Sequence, residues 1–158
     1  MLDQLPYRSQ VLDHLGLVAG MFNELGIGDV LDQVTQHNPE MRDLTMGEAV
    51  KAMALNGLGL INHALYLVPR FFQNKPTSRL ITPRIAPAQL NNDTLGRALD
   101  MLYAYGVTAL YSLIAATAAT RLGLTLSFAH LDSTSFHVDG RYNSDEEPEV
   151  KVVHIPRG

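Results

Sequence analysis

Apolar side chains recur at helical spacing along most of the chain. Over residues 9–25 they come at Val11, Leu12, Leu15, Val18, Ala19 and Phe22. This spacing puts them on one face of a helix, and glycine commonly ends a helix, as Gly26 and Gly28 are placed to do here. The pattern predicts a helix over 9–25 and a shorter one over 29–34.

A helix start signal follows in the middle of the chain. Thr45 and Glu48 have the spacing of a capping box, in which each side chain accepts a hydrogen bond from the other residue's backbone N–H. This predicts a helix from Thr45 to about Leu55. A second helix is expected within the apolar, glycine-rich residues 56–69, and Pro69 is expected to stop it.

The next part of the chain is divided by prolines and then becomes regular again. Three prolines within residues 73–90 predict turns and short pieces there. Asn92 or Asp93 is expected to cap a helix whose apolar stripe runs as far as Gly106, the predicted C-terminal stop.

The helical pattern ends near residue 123. Thr108 is expected to cap a last helix over 109–122, which Gly123 closes. Beyond it, apolar residues alternate with polar or small ones, at Leu124, Leu126 and Phe128. Alternation is typical of a strand, so the pattern predicts one strand over 125–136 and a second over 150–155.

These elements predict a mainly α protein with two domains. Residues 1–123 are expected to form a helical domain. Residues 124–158 are expected to form the first β-strands of a second, truncated α/β domain, because two strands alone are marginally stable.

Composition narrows the class of protein. There is no cysteine, and no apolar run approaches the roughly 20 residues that a membrane-spanning helix needs. The N-terminus lacks the basic and apolar regions of a signal peptide. We therefore expect a cytoplasmic protein with no membrane partner.

Charge is distributed unevenly, although the net charge is only −4. Residues 49–92 contain five basic residues and no acid, namely Lys51, Arg70, Lys75, Arg79 and Arg84. Such a segment presents a positive field to phosphate even in an acidic chain. It is a candidate DNA-binding surface; a solvated basic face is the alternative. Aromatic residues beside these bases, Tyr66, Phe71 and Phe72, are either base-stacking groups or parts of the core.

One carboxylate is placed for metal chemistry. Asp132 follows the predicted apolar strand and precedes three small hydroxyl residues. Mg²⁺ takes one or two carboxylates together with phosphate and water, and two such ions about 4 Å apart cleave phosphodiesters. The alternative is an aspartate that ends a strand and caps a turn.

A second metal arrangement is possible around the same residue. His130 and His137 form H-x-D pairs with Asp132 and Asp139. Residues two apart on a strand share a face, so these four side chains would suit a small metallohydrolase. The acidic residues at 145–149 are crowded around a proline and fit a solvated loop better than a cation site.

Four blocks of the sequence resemble one protein family. They are LDHLGLVAGMFNELGIGDVLDQ, VKAMALNGLGLINHALYLVPRFFQNKP, LNNDTLGRALDMLYAYGVTALY and FAHLDSTSFHVDGRYN. In sequence and order they resemble the N-terminal region of bacterial DDE-type insertion-sequence transposases. The subgroup concerned has a helical leader domain before an RNase-H-like core.

The resemblance implies a function and one site residue. Asp132, in LDST, would be the first of three acids that bind Mg²⁺ or Mn²⁺ in the intact enzyme, which cuts and joins DNA at transposon ends. The implied partners are transposon-end and target DNA, and a second copy or a full-length transposase, in the bacterial cytoplasm near the nucleoid. The family's other two acids have no match here, so the resemblance implies that the chain alone is inactive. A non-catalytic DNA-binding or dimerising module is the alternative.

Overall fold

The computed structural model describes residues 10, 12–35, 44–59 and 64–125, which lie within one compact unit, Met1–Leu126. These residues form seven α-helices: α1 (Leu15–Glu24), α2 (Ile27–Thr35), α3 (Met46–Gly57), α4 (Val68–Phe72), α5 (Thr77–Leu80), α6 (Asn92–Tyr105) and α7 (Val107–Arg121). Two 3₁₀ turns, Leu65–Leu67 and Pro87–Gln89, lie between them. The mainly α fold class is thus confirmed for the described residues.

The hydrophobic core is built around α3. This helix contacts α1, α2, α4 and α6, and Ala49, Ala52 and Leu55 along it are fully buried. Every other helix with at least nine residues contributes to the same cluster, through side chains that include Leu15, Phe22, Leu31, Leu95 and Leu110. Burying a side chain of this size contributes roughly 1.5–3 kcal/mol, so the cluster is the main source of stability.

The start of α3 is fixed by the predicted capping box. The backbone N–H of Glu48 donates to Thr45 Oγ1 over 3.2 Å, and the N–H of Thr45 donates to Glu48 Oε2 over 2.9 Å. Two N–H groups that the helix cannot satisfy internally are thereby paired.

Two glycines allow α2 and α3 to approach closely. A Cβ added at Gly47 would stand 2.7 Å from the Cα of Gly28, which is closer than real carbon atoms come. The backbone N–H of Gly47 also donates to Asp32 Oδ1 over 2.7 Å. The carboxylate of α2 therefore holds the first turn of α3 where the backbones meet.

The last helix is fastened to the first two by its terminal arginine. Arg121 donates to Asp29 Oδ2 over 2.7 Å and to the backbone O of Asn23 over 3.4 Å. Its guanidinium lies on Gly26, whose φ of +71° is a conformation that favours glycine.

Some helix ends differ from the prediction. Pro69 lies in the first turn of α4 and does not stop a helix, since its missing N–H has no partner to lose there. The N-cap of α6 is Asn91, whose side chain accepts from the N–H of Thr94 over 3.0 Å. α7 begins at Val107, directly after Gly106, so Thr108 lies inside the helix and does not cap it.

The described residues contain none of the predicted β-structure. Leu124 and Thr125 are irregular, and no strand occurs in the described part of the chain. The rest of the strand predicted over 125–136, and all of that over 150–155, lie outside the described residues. Their assignment to an RNase-H-like domain stays a prediction.

No single helix among the described residues is long and apolar enough to cross a membrane. α6 and α7 pass such a test only as a pair, and the pair is bent by 90°.

Candidate nucleic-acid interface

The acid-free segment is anchored to the core by its apolar residues. In its described part, 64–92, the buried apolar side chains include Val68, Phe71, Phe72, Leu80, Ile85 and Leu90. The short helices α4 and α5 alternate these anchors with basic residues that remain near the surface. The local sequence thus holds the backbone in place while it exposes cationic groups.

Arg70 and Arg79 are the most available of these cations. Both are exposed, and each lies in the last turn of its short helix. Neither forms an ion pair with an acid among the residues that the structure describes. An unpaired guanidinium at the surface presents a full charge and a planar set of N–H donors that suits phosphate oxygens.

Lys75 is partly buried and is oriented by an aromatic ring. Its Nζ lies 4.8 Å from the centroid of the Phe71 ring, a distance typical of a cation–π contact. Its backbone O accepts from Gln10 Nε2 over 3.2 Å. The ring contact thus gives the ammonium group a preferred position, and the hydrogen bond from Gln10 fixes the backbone at Lys75.

Arg84 differs from the other cations because a carboxylate compensates its charge. Its Nη2 lies 2.6 Å from Glu48 Oε1, with 63% of the arginine side chain exposed against 15% of the glutamate side chain. The same glutamate caps α3, so the pair links the basic segment to the central helix. Phosphate would have to compete with Glu48 for this guanidinium.

Lys51, the fifth predicted DNA-binding residue, points into the protein. It is only 5% exposed, and its Nζ donates to Asn23 Oδ1 over 2.9 Å and lies 6.0 Å from the Phe22 ring centroid. Burial lowers the pKa of Lys51, while the Glu48 carboxylate raises it to a smaller extent. In this position Lys51 does not reach a phosphate at the surface.

The sequence contained a signal for the burial of Lys51. It stands four residues from both Gly47 and Leu55, and a spacing of four places residues on the same helix face. Both of those neighbours are buried.

Only one residue of the aromatic run lies at the surface. Phe71 and Phe72 are buried, with ring centroids 4.9 Å apart in an edge-to-face arrangement. Tyr66, in the 3₁₀ turn before α4, is 66% exposed. The two phenylalanines are thus core residues, and Tyr66 is the one ring of the three with a face open to a base.

The predicted metal-binding residues lie outside the described residues. These are Asp132 and the alternative ligands His130, His137 and Asp139. Among the described residues, no group of three His, Cys, Asp or Glu side chains is placed to hold a metal ion. The metal predictions therefore stay predictions.

The described residues thus form a helical domain with an exposed basic segment between α3 and α6. A family model described as a domain of unknown function (DUF4277) matches residues 7–116, and the chain belongs to this family. No curated protein and no solved structure is significantly similar to the chain.

Proposed function

We propose that the chain is the N-terminal part of a DDE-type insertion-sequence transposase, and that its helical domain binds DNA through the basic segment. The single observation that carries the DNA-binding proposal is the exposure of Arg70 and Arg79 without an ion-pair partner among the described residues. The resemblance of four sequence blocks, including LDST at Asp132, supports the transposase assignment.

The charge arrangement favours phosphate over an acidic protein surface or a small ligand. Between residues 64 and 92 there are four cations and no carboxylate. The cations lie on α4, on α5 and in the turns that follow each of these helices. A DNA backbone presents regularly spaced phosphates, which suit several separate cations better than one pocket does. Tyr66 adds a ring that is able to stack on a base or to pack against a sugar.

The catalytic part of the proposal concerns Asp132. By resemblance it is the first of three acids that hold Mg²⁺ or Mn²⁺, and the metals would activate the nucleophile and stabilise the leaving oxygen in strand cutting and joining. The partners would be transposon-end DNA and target DNA, in the bacterial cytoplasm at the nucleoid. The role proposed for the helical domain is to hold the DNA.

Salt-dependent DNA binding tests the role of the basic segment. We expect the full chain to bind duplex DNA, with an affinity that falls steeply as salt is raised, since phosphate contacts release counterions. The slope of log K against log salt is negative, and each lost phosphate contact makes it shallower by about 0.9. The double variant Arg70→Ala/Arg79→Ala should therefore make it shallower by about 2. At low salt its affinity should fall by about tenfold to a hundredfold.

Arg97→Ala supplies the matched control. Arg97 is an exposed arginine on α6, outside the acid-free segment, and its Nε donates to the backbone O of Asp93 over 3.2 Å. This variant should keep the salt slope of the original chain. An equal loss in both variants would show non-specific attraction to the whole surface and would contradict the proposed interface.

A second comparison tests the transposase assignment. We expect a duplex taken from the DNA that flanks the gene to bind more tightly than a scrambled duplex of the same length. Equal affinities at physiological salt would indicate a DNA-binding domain without sequence preference and would contradict recognition of transposon ends by this chain.

A further inference from the structure

One cation of the basic segment is paired with a carboxylate of the central helix. Arg84, in the turn after α5, places its Nη2 2.6 Å from Glu48 Oε1 in the first turn of α3. The two side chains differ in exposure, since 63% of the arginine is exposed but only 15% of the glutamate. A ligand in solvent therefore has access to the guanidinium, while the carboxylate that holds it is largely covered.

We propose that Glu48 competes with DNA phosphate for Arg84 and thereby limits how tightly the basic segment binds DNA. The carboxylate occupies Arg84 in the free chain, and a phosphate of the bound duplex replaces it. Carboxylate and phosphate oxygens accept from the same N–H groups of a guanidinium, so the two partners exclude each other. The competition rests on the proposed DNA-binding role of the segment and adds its regulation, an acid from the same chain that weakens binding.

The carboxylate of Glu48 is held in place without the help of Arg84. Its second oxygen, Oε2, accepts from the backbone N–H of Thr45 over 2.9 Å, as part of the capping box of α3. An ordinary surface ion pair is weak partly because two flexible side chains must be ordered. Here the acid is already ordered by the helix cap, so Glu48 is an effective competitor and stays in position when Arg84 leaves.

A second cation lies close enough to compensate Glu48 after the exchange. Lys51 is one turn further along α3, and its pKa is lowered by burial and raised to a smaller extent by the Glu48 carboxylate. The two charges therefore interact. A largely covered carboxylate without a partner would be costly, and that cost would prevent phosphate from taking Arg84. Lys51 reduces the cost, so the pair is able to open.

The exchange requires only the side chain of Arg84 to move. The next residue, Ile85, belongs to the hydrophobic core and fixes the backbone of the turn. Arg70 and Arg79 need no exchange, because neither forms an ion pair with an acid among the described residues. They supply a constant part of the affinity, and Arg84 supplies the part that Glu48 controls.

Glu48→Gln in the full chain tests the competition, through its binding to a labelled duplex at several salt concentrations. Glutamine keeps an oxygen that caps α3 and removes the charge, so the fold should be retained. At low salt we expect binding to tighten by about threefold to tenfold. Within this variant, a further Arg84→Ala change should make the salt slope shallower by about 0.9, because one phosphate contact is lost.

Two control variants separate competition from charge and from capping. Glu24→Gln removes the same charge from an exposed residue of α1 and should tighten binding by less than about twofold, since exposed charges are screened. Thr45→Ala weakens the cap but leaves the ion pair, and it should not change the affinity for DNA. Circular dichroism of each variant confirms that the helices are retained.

Several results would overturn the competition and leave the proposed function intact. One is an equal effect of Glu48→Gln and Glu24→Gln, which would show that only net charge counts. Another is a Glu48→Gln effect that persists in full in the Arg84→Ala background, or a salt slope that Arg84→Ala leaves unchanged. In each case the original chain still binds DNA through Arg70 and Arg79. A chain that binds no DNA at all would overturn both proposals.

Discussion

α3 and α7 are both rich in apolar residues, but the protein buries them to very different extents. α3 has seven buried residues, including the polar Lys51 and Asn56, whereas α7 has Leu110 alone. The charged side chain thus lies inside the protein while alanines, a valine and a tyrosine lie outside. Apolar content decides whether a helix has a face to bury; the position of the helix in the fold decides whether that face is covered.

The difference also separates two uses of apolar surface. α3 is surrounded by four other helices, and its residues are part of the folding core. α7 touches the domain along one narrow side and ends in a salt bridge to α2. Substitutions should therefore lower the free energy of unfolding in α3 and leave it nearly unchanged on the outer side of α7.

The largest effect is expected at Leu55. Leu55→Ala leaves a cavity beside the fully buried Ala52 and should lower the free energy of unfolding by about 2–5 kcal/mol. Tyr111→Ala removes more atoms, yet it should cost less than about 1 kcal/mol, since its side chain is exposed. Urea unfolding of both variants measures the two losses, and equal losses would contradict the comparison.

A smaller loss is expected where α3 meets α2. Gly47→Ala places a methyl group against the backbone of Gly28 and should destabilise the fold by about 1–3 kcal/mol. Gly96→Ala, inside α6 with nothing within 4 Å of the new methyl group, should stabilise it by about 0.5–1 kcal/mol. The two variants should shift the thermal unfolding temperature in opposite directions. A shift in the same direction would mean that α2 and α3 do not approach as closely as described.

Loss of the α3 cap should have an intermediate effect. Thr45→Ala removes the acceptor of the Glu48 N–H and should cost about 1 kcal/mol. Thr45→Ser retains the hydroxyl and should stay close to the original stability. If urea unfolding ranks the two variants equally, the capping box does not contribute to the stability of α3.

The smallest effect on stability is expected at Lys51, where the direction of the change with pH is the informative observation. Burial lowers the pKa of this lysine from its ordinary value of 10.5, so at neutral pH its charge opposes folding. The folded chain loses this proton before the unfolded chain does. Its stability should therefore rise as the pH increases from the lowered pKa towards 10.5.

Lys51→Met isolates that contribution. It keeps the apolar stem against Phe22 and removes the charge, so it should be neutral or stabilising at pH 7 and should lack the alkaline rise. Unfolding measured at several alkaline pH values tests this. A clear loss of stability at neutral pH would show that the hydrogen bond to Asn23 outweighs the cost of burying the charge.

Signals that act within a few residues were predictable from the sequence. The capping box at Thr45 was one, and the helix ends at Gly106 and Gly123 were others, with φ values of +103° and +63°. Pro69 was assigned to the wrong end of a helix, because proline fits a first helical turn as well as it prevents continuation. Local patterns are ambiguous in that way whenever two helices follow closely.

The partners of buried residues were not predictable by the same means. The spacing of Lys51 from Gly47 and Leu55 indicates the buried face of α3, but periodicity on α3 contains no information about α1, which contributes Asn23 and Phe22 beside the lysine. The outer side of α7 has no polar stripe, so a pattern of apolar positions could not say which side faces the core. For the candidate interface, the sequence alone showed that the segment contains no acids. Only the structure showed that Arg70 and Arg79 are exposed while Lys51 is buried.

The ion pair between Arg121 and Asp29 has a consequence for the order in which the domain assembles during synthesis. α2 and α3 are close in sequence and are able to pack as soon as both have left the ribosome. The Arg121 contact joins residues 92 positions apart, so it forms only after nearly all of the helical domain has been made. A nascent chain that ends short of Arg121 would display the part of α2 that α7 later covers, and translation pauses in this interval would lengthen its exposure to chaperones.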